Sequence, residues 1–158
     1  MNEEYNDVFN YSFNSHIGDV KEFMVLANQT TSNIIRTPST QERILRAKLI
    51  FEESMETIQA LGVGVQVGPN NDWVFVDIGE ANYNPEDVLD GIADIFVVTT
   101  GAGICCGLTD VIEEAIDRVC QNNLSKVDGQ HSFREDGKLL KSPNYKPVVL
   151  DDLIERVS

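Results

Sequence analysis

Positive charge is scarce in this chain of 158 residues: 12 Lys and Arg stand against 26 Asp and Glu, which gives a formal net charge of −14. A nucleic-acid binder needs an electropositive face to meet phosphates, and docking on anionic lipid needs basic clusters. We therefore expect neither a nucleic-acid partner nor a membrane partner. The apolar content of 42% and the mean hydropathy of −0.18 are typical of a soluble globular protein, and the length predicts a single domain over residues 1–158.

Cysteine and histidine are also scarce. The three cysteines, Cys105, Cys106 and Cys120, are odd in number and two of them are adjacent, which makes a poor disulfide framework. Together with the lack of a secretory signal, this predicts a reducing, cytoplasmic location. Zinc is disfavoured because His16 and His131 are the only histidines and neither has a Cys or His at ligand spacing.

Long apolar runs are absent except over residues 92–108. This stretch of 17 residues is at the short limit for a membrane span, and it contains Asp94 and three glycines. A buried helix in a bundle explains it better than a membrane span does.

The patterns along the chain predict mostly helices. A short amphipathic helix is expected over 19–28, followed by a polar loop. Ser39 and Glu42 have the spacing of a capping box and begin a second helix, which stops at Gly62.

Residues 63–78 change character, since alternating valines are followed by a Gly-Pro-Asn-Asn turn and a second β-prone run. This pattern predicts a β-hairpin, or else a long excursion, inserted between two helices. Asn84 and Pro85 are suited to cap the next helix, which is expected to reach Cys106. Further helices are predicted at about 109–123 and 151–157, with a turn-rich tail between them.

The second helix carries an unusual acidic run. Glu53 and Glu56 share a helix face, as do Glu52 and Glu56, directly after an apolar stretch. Like charges at this spacing destabilise a helix slightly, and carboxylates at the edge of a core favour a cation. A solvated acidic face is the alternative interpretation.

A second acidic group lies on the third helix, where Asp90 and Asp94 are four residues apart and Asp87 lies one turn before Asp90. Two such helices meeting in a bundle would form an oxygen-rich pocket suited to Mg²⁺, with Mn²⁺ as the alternative ion. Asp94 lies within an apolar run, where burial without a partner is costly. The alternative is an ion pair of Asp94 with a buried Arg43 or Arg46.

The tail holds a basic island in an acidic chain. Over residues 126–146, five basic residues stand against three acidic ones: Lys126, Arg134, Lys138, Lys141 and Lys146 against Asp128, Glu135 and Asp136. Lysine offers a mobile point charge suited to phosphate. A solvated loop that offsets the acidic body is an equally good interpretation.

Four stretches, in this order, resemble the MazG-like all-α nucleoside triphosphate pyrophosphohydrolases: RAKLIFEESMETIQA, DGIADIFVVTTGAGICCGL, NNLSK and DGKLLKSPNYKP. More narrowly, they are similar to the branch related to phosphoribosyl-ATP pyrophosphohydrolase, which includes bacterial and phage-encoded members. The likeness covers about residues 19–147, which we take as the core of the domain.

The resemblance implies an all-α helical bundle, with the hairpin as a small insertion and an irregular C-terminal tail. It implies Mg²⁺-dependent hydrolysis of (deoxy)nucleoside triphosphates between the α and β phosphates, giving a monophosphate and pyrophosphate, as in nucleotide-pool housecleaning. The implied assembly is a homodimer or homotetramer. The implied location is the cytoplasm, or the host cytoplasm for a phage-encoded member.

The resemblance also assigns residues. Metal ligands would be Glu52, Glu53, Glu56 and Asp94. Glu52 or Glu53 would deprotonate the attacking water, and Lys126 would neutralise charge on the leaving group. Substrate contacts would come from the Asn-x-x-Lys step and from the tail that closes over the nucleotide: Asn123, Lys126, Lys138, Lys141 and Tyr145.

The chain departs from the family's second motif, Glu-x-x-Asp, because Gly91 stands where the Glu is expected. Asp90 is expected to supply the missing oxygen, since residues four apart share a face with Asp94. The departure keeps a non-catalytic nucleotide- or metal-sensing bundle as an alternative function. An interaction protein that uses its acidic surface is a third interpretation.

Overall fold

The structure is a computed structural model that describes residues 13–127, 132–141 and 145–158. It is rich in helix and contains one small antiparallel sheet. Its elements, in chain order, are α1 (Phe13–Leu26), α2 (Thr40–Ala60), β1 (Val63–Val67), β2 (Trp73–Asp77), α3 (Pro85–Cys106), α4 (Ile112–Leu124) and α5 (Asp151–Arg156), with 3₁₀ turns at Glu80–Asn82 and Thr109–Val111.

The predicted capping box begins α2. The Ser39 hydroxyl accepts a hydrogen bond from the Glu42 backbone N–H (3.3 Å), and the Glu42 carboxylate accepts one from the Ser39 N–H (2.5 Å). Both bonds satisfy N–H groups that a helix start leaves without partners. Arg36 donates to the same carboxylate at 2.9 and 3.1 Å, so the loop before α2 is tied to the cap.

The start of α3 also follows the prediction. The Asn84 side-chain oxygen accepts from the Glu86 N–H (3.0 Å), and Pro85 is the first helical residue. The helix ends at Gly107 in the left-handed region (φ +81°). A Cβ there would lie 1.8 Å from the Ile34 carbonyl oxygen, so this position requires glycine for space as well as for conformation.

Residues 63–77 form a β-hairpin, not an irregular excursion. Val65 pairs with Phe75 and Val67 with Trp73, so these four side chains share one face of the ribbon. On that face Val67, Trp73 and Phe75 are each more than 60% exposed. Gly64 is on the other face, and a Cβ there would lie 3.2 Å from the Val76 side chain.

The core lies where α1 and α2 pack on α3. Its buried centre is formed by Val20, Met24, Ile104 and Cys105. Helix α1 starts earlier than its predicted start at residue 19 because Ile17 adds a buried position upstream, three residues before Val20.

The C-terminal helix α5 is fixed to α4 by charged pairs. Arg118 donates to Asp152 (2.6 Å) and to Glu114 (2.6 Å), and Arg156 also pairs with Glu114. Leu153, 1% exposed, is the buried residue of α5. The predicted last helix is therefore confirmed.

Helix α3 is central to this packing and unusually apolar. Among the helices of the described residues, it is the one whose length and composition would allow it to cross a membrane, a property that core helices of soluble proteins share.

Candidate functional site

A cavity of about 590 Å³ lies between α2, α3 and the base of the hairpin. Five acidic side chains line it, Glu53 and Glu56 from α2 and Asp87, Asp90 and Asp94 from α3. The structure therefore brings together the two acidic groups that the sequence places on separate helices. The other lining residues are Gln59, Ala60, Gly64, Ile78, Asn82 and Gly91.

The cavity lacks positive charge in the part of the chain that the structure describes. No Lys or Arg is among its lining residues, and none of its five carboxylates takes part in an ion pair between described residues. Asp87 accepts a hydrogen bond from the Asn84 amide (2.7 Å). Among the described residues, no Lys or Arg side chain compensates the charge of these carboxylates.

Glu53 shows the consequence of this crowding. Partial removal from water raises the pKa of its carboxyl group above the usual 4.5, and the negative charges of Asp94, Glu56, Glu52 and Asp90 raise it further, in that order. A cation bound among these groups would reverse the effect. The environment of Glu53 therefore favours either a proton or a metal ion at its carboxylate.

The donor set fits Mg²⁺ or Mn²⁺ better than a softer metal, because carboxylates supply hard oxygen ligands. Within the described ranges, no three Asp, Glu, His or Cys side chains already converge on one point as a complete ligand group. Mg²⁺ does not require such a group, since it usually keeps several waters and takes one or two carboxylates together with substrate phosphates.

For two acidic residues, the lining of the cavity departs from the predicted set of metal ligands. Glu52 is exposed and is not among the residues that line the cavity, although its charge acts on Glu53. Asp87, which was not in the predicted ligand set, lines the cavity beside Asp90. The signal for Asp87 was its three-residue spacing from Asp90.

The alternative of an ion pair for Asp94 is wrong. Arg43 donates instead to the Pro38 carbonyl (2.5 Å) and Arg46 to the Gln29 side chain (3.0 Å). Asp94 is left among the other carboxylates of the cavity.

The predicted substrate residues of the tail form a second group. Lys126 donates to the Asn123 side-chain oxygen (2.5 Å). The ammonium groups of Lys126 and Lys141 lie 5.3 and 4.8 Å from the centre of the Tyr145 ring, which is within range for cation–π attraction. Lys138 is exposed. None of these five residues lines the acidic cavity.

Trp73 and Phe75 are not lining residues of the cavity either. They lie on the opposite face of the hairpin from Gly64, which does line it. The Trp73 side chain therefore lies on the face of the hairpin remote from the cavity of the same chain.

No protein-family model matches this chain, and no curated protein matches it.

Proposed function

We propose that the protein is a Mg²⁺-dependent nucleoside triphosphate pyrophosphohydrolase with a MazG-like helical bundle, and that the acidic cavity is its active site. The observation that carries the proposal is the convergence of five carboxylates from α2 and α3 on one cavity whose lining includes no described Lys or Arg. Structural ion pairs do not explain such a cluster, because its members have no basic partner among the described residues.

The charge balance makes a cation part of the proposal. A triphosphate would be repelled by five carboxylates at close range, so the two can share a site only if divalent cations lie between them. Glu53, Glu56, Asp90 and Asp94 would hold Mg²⁺, or Mn²⁺ in its place, with Asp87 beside them. When bound, the metal supplies electrostatic stabilisation of the phosphate oxygens and lowers the pKa of a bound water.

The acidic residues also have roles of their own. Glu53 lines the cavity on its α2 side and carries a carboxylate, a type of group that serves as a general base. We assign it as the general base that takes a proton from the attacking water. Glu52, outside the lining, is the second candidate base and adds negative charge next to Glu53.

The basic tail would complete the site from the other side of the substrate. Lys126 and Lys141 lie close to the same ring, and a phosphate between them would relieve their mutual repulsion. In this proposal Lys126 neutralises charge that develops on the pyrophosphate leaving group, and Asn123 holds Lys126 in place. Lys138 and Tyr145 are further substrate contacts. Since none of these residues lines the acidic cavity of the same chain, the tail must close over the nucleotide when it binds, or reach a second copy.

A homodimer, or a homotetramer built from dimers, is part of the proposal. Large apolar side chains are strongly exposed along α2 and α3, among them Leu45 (46%), Phe51 (56%), Leu89 (70%) and Ile92 (57%). Apolar exposure on this scale is typical of an association surface.

A cytoplasmic location, in the host for a phage protein, agrees with three cysteines that form no disulfide.

The test is pyrophosphate release from a panel of NTPs and dNTPs by the purified protein, with Mg²⁺ and with EDTA. We expect release of pyrophosphate and a monophosphate with Mg²⁺ alone. Glu53→Gln is expected to abolish release, whereas Glu155→Gln, which alters an exposed acid on α5, should leave it unchanged.

A second candidate function is a non-catalytic nucleotide- or metal-sensing bundle. Gly91 favours it, because the motif residue expected there would have been a ligand. Saturable Mg²⁺-dependent nucleotide binding without turnover across the whole panel would support the sensor and overturn the enzyme.

A further inference from the structure

Arg46, in the middle of α2, is a buried charge. The residue is only 9% exposed. One guanidinium nitrogen donates to the Gln29 side-chain oxygen (3.0 Å). The other terminal nitrogen lies 3.2 Å from the position that a Cβ would take at Gly101, so glycine at this position makes room for the guanidinium.

The charge of Arg46 has no negative partner among the residues that the structure describes. No carboxylate forms an ion pair with Arg46. Glu42, one turn earlier on the same helix, is engaged by Arg36 and the Ser39 N–H. The thiol of Cys106 also lies under the influence of Arg46, and burial raises the pKa of this thiol, so it supplies no negative charge at neutral pH.

An uncompensated buried guanidinium is unusual. Arginine does not escape burial by losing its proton, as lysine and histidine do. It has five N–H donors, and Gln29 is a single neutral acceptor. Buried charges are normally paired, because desolvation of an ion is expensive. The position therefore favours an anion that the described residues do not supply.

A second cavity, of about 190 Å³, is present at this point. Apart from Arg46 and Gln29 its lining is apolar or glycine: Val20, Phe23, Met24, Leu49, Val97, Val98 and Gly101. Phe23 is 55% exposed, so the cavity reaches the surface at its side chain. A cavity of about 150 Å³ admits benzene, so this one has room for a hydrocarbon group of about six carbons. It shares no lining residue with the acidic cavity.

We propose that this second cavity binds a small monocarboxylic acid with a hydrocarbon body. The carboxylate would pair with the Arg46 guanidinium, accepting two parallel N–H bonds, and the Gln29 amide would donate to it. The hydrocarbon would lie against Met24, Leu49 and Val97. A phosphate fits less well, because its additional oxygens and charge would face apolar walls with no further donor.

Calorimetric titration of the protein with hexanoate and benzoate, at fixed ionic strength, tests the proposal. Hexanol is the neutral comparison and inorganic phosphate the competing anion. We expect saturable binding of at least one acid, at least tenfold tighter than hexanol, with no saturable binding of phosphate. Absence of saturable binding by both acids, or binding of phosphate in their place, would overturn the proposal.

Two variants locate the site. Arg46→Met should lose acid binding at least tenfold while remaining folded, because replacing a buried charge by an apolar side chain of similar size is often tolerated. Gly101→Ala, which places a methyl group against Arg46 and Met24, should weaken binding in the same way. Arg43→Met is the matched control, since Arg43 is exposed on the same helix. Acid binding by folded Arg46→Met equal to that of the Arg43→Met control would contradict the assignment.

Discussion

Gly91 of α3 lies so close to Thr57 of α2 that a Cβ at position 91 would come within 2.2 Å of the Thr57 hydroxyl oxygen. Both residues are buried. The hydroxyl donates to the Glu53 carbonyl (2.7 Å), one turn earlier on α2. This contact sets the distance between the two helices that carry the acidic cavity. A glutamate at position 91 would force them apart, which gives a physical reason why Asp90, exposed and next to the contact, is the acidic residue here.

Gly91→Ala is predicted to destabilise the protein. Overpacking of a tight contact typically costs about 1–3 kcal/mol, and this exceeds the roughly 1 kcal/mol that alanine gains over glycine within a helix. The measurement is the free energy of unfolding in urea. Gly18→Ala is the matched control, because a Cβ at that helical position meets nothing within 4 Å.

The contact between Gly91 and Thr57 also predicts that a second substitution offsets part of the lost stability. Thr57→Ala removes the nearest atom, so the double variant Gly91→Ala/Thr57→Ala should lose less stability than the sum of the two single losses. The contact would be disproved as the cause if Gly91→Ala were as stable as the Gly18→Ala control.

Glu53→Gln is predicted to have opposite effects with and without Mg²⁺. In the absence of divalent ions it removes a charge that its carboxylate neighbours disfavour, so the melting temperature at pH 7 should rise. With Mg²⁺ the wild type should gain stability by ligand linkage, and the variant should gain much less. Thermal unfolding at several Mg²⁺ concentrations measures both effects.

Glu155→Gln serves as the control for this pair of measurements. It should respond to Mg²⁺ as the wild type does. If Glu53→Gln and the wild type gained equal stability from Mg²⁺, Glu53 would not be a ligand.

Glu42 predicts a pH dependence of stability. Its hydrogen bond from Arg36, supported by the Thr30 side chain and by the bond from the Ser39 N–H, holds the pKa of Glu42 well below the ordinary value of 4.5. Because the folded-state pKa is lowered, the contribution is complete above about pH 4.5 and is lost as the pH falls toward the folded-state value. Glu42→Gln should therefore be less stable than the wild type at pH 7, and the difference should shrink as the pH is lowered below 4.5.

The glutamine variant isolates the charge, since Gln also serves in a capping box. Glu42→Ala should lose the cap as well and be less stable than Glu42→Gln at every pH. Urea unfolding at a series of pH values gives the comparison. A difference between wild type and Glu42→Gln that stayed constant with pH would contradict the role given to the Arg36 pair.

The Tyr145 ring predicts a variant in which KM for a triphosphate changes more than kcat. Tyr145→Leu removes the ring on which Lys126 and Lys141 converge. A cation–π contact at an exposed site is worth about 0.5–1 kcal/mol, so KM for a triphosphate should rise about two- to fivefold with a smaller change in kcat. Tyr145→Phe keeps the ring and should resemble the wild type in steady-state kinetics. Equal KM values for the two variants would remove the ring from the proposed substrate site.

Local signals explain which parts of the fold the sequence predicted. The starts of α2 and α3 are set by side chains that bond to the backbone two or three residues away, Ser39 with Glu42 and Asn84 with Glu86. The hairpin was equally legible, because strand alternation and its turn are local patterns. Only helix-face spacing within each element was needed to group the acidic residues.

Contacts between elements explain what the sequence did not predict. Gly91 packs on Thr57 across two helices, and the pattern of one helix alone does not predict such a contact. From the sequence, the glycine at position 91 therefore indicated a lost metal ligand, whereas in the structure it is a helix contact. The sequence offered Arg46 as a buried ion-pair partner of Asp94, but the cavity in which it lies is formed by α1, α2 and α3 together, and among the described residues it forms no ion pair. Asp87 was seen on the right face, but only the cavity shows that it belongs with Asp90.

The exposed apolar side chains predict that the chain associates. Leu89 and Ile92 lie on α3 beside a cleft of about 440 Å³ that also involves Val20 and Phe96. Burial of such residues contributes about 1.5–3 kcal/mol each, so a second copy covering this face would be strongly favoured.

Light scattering after size-exclusion chromatography should give at least twice the 17.6 kDa of one chain. Leu89→Glu/Ile92→Glu should shift the mass to that of a monomer, because the introduced charges cannot be buried without partners. Leu124→Glu, at an exposed apolar position at the end of α4, is the control and should leave the mass unchanged. A monomeric wild type at micromolar concentration would contradict the prediction, and with it the assembly in the proposed function.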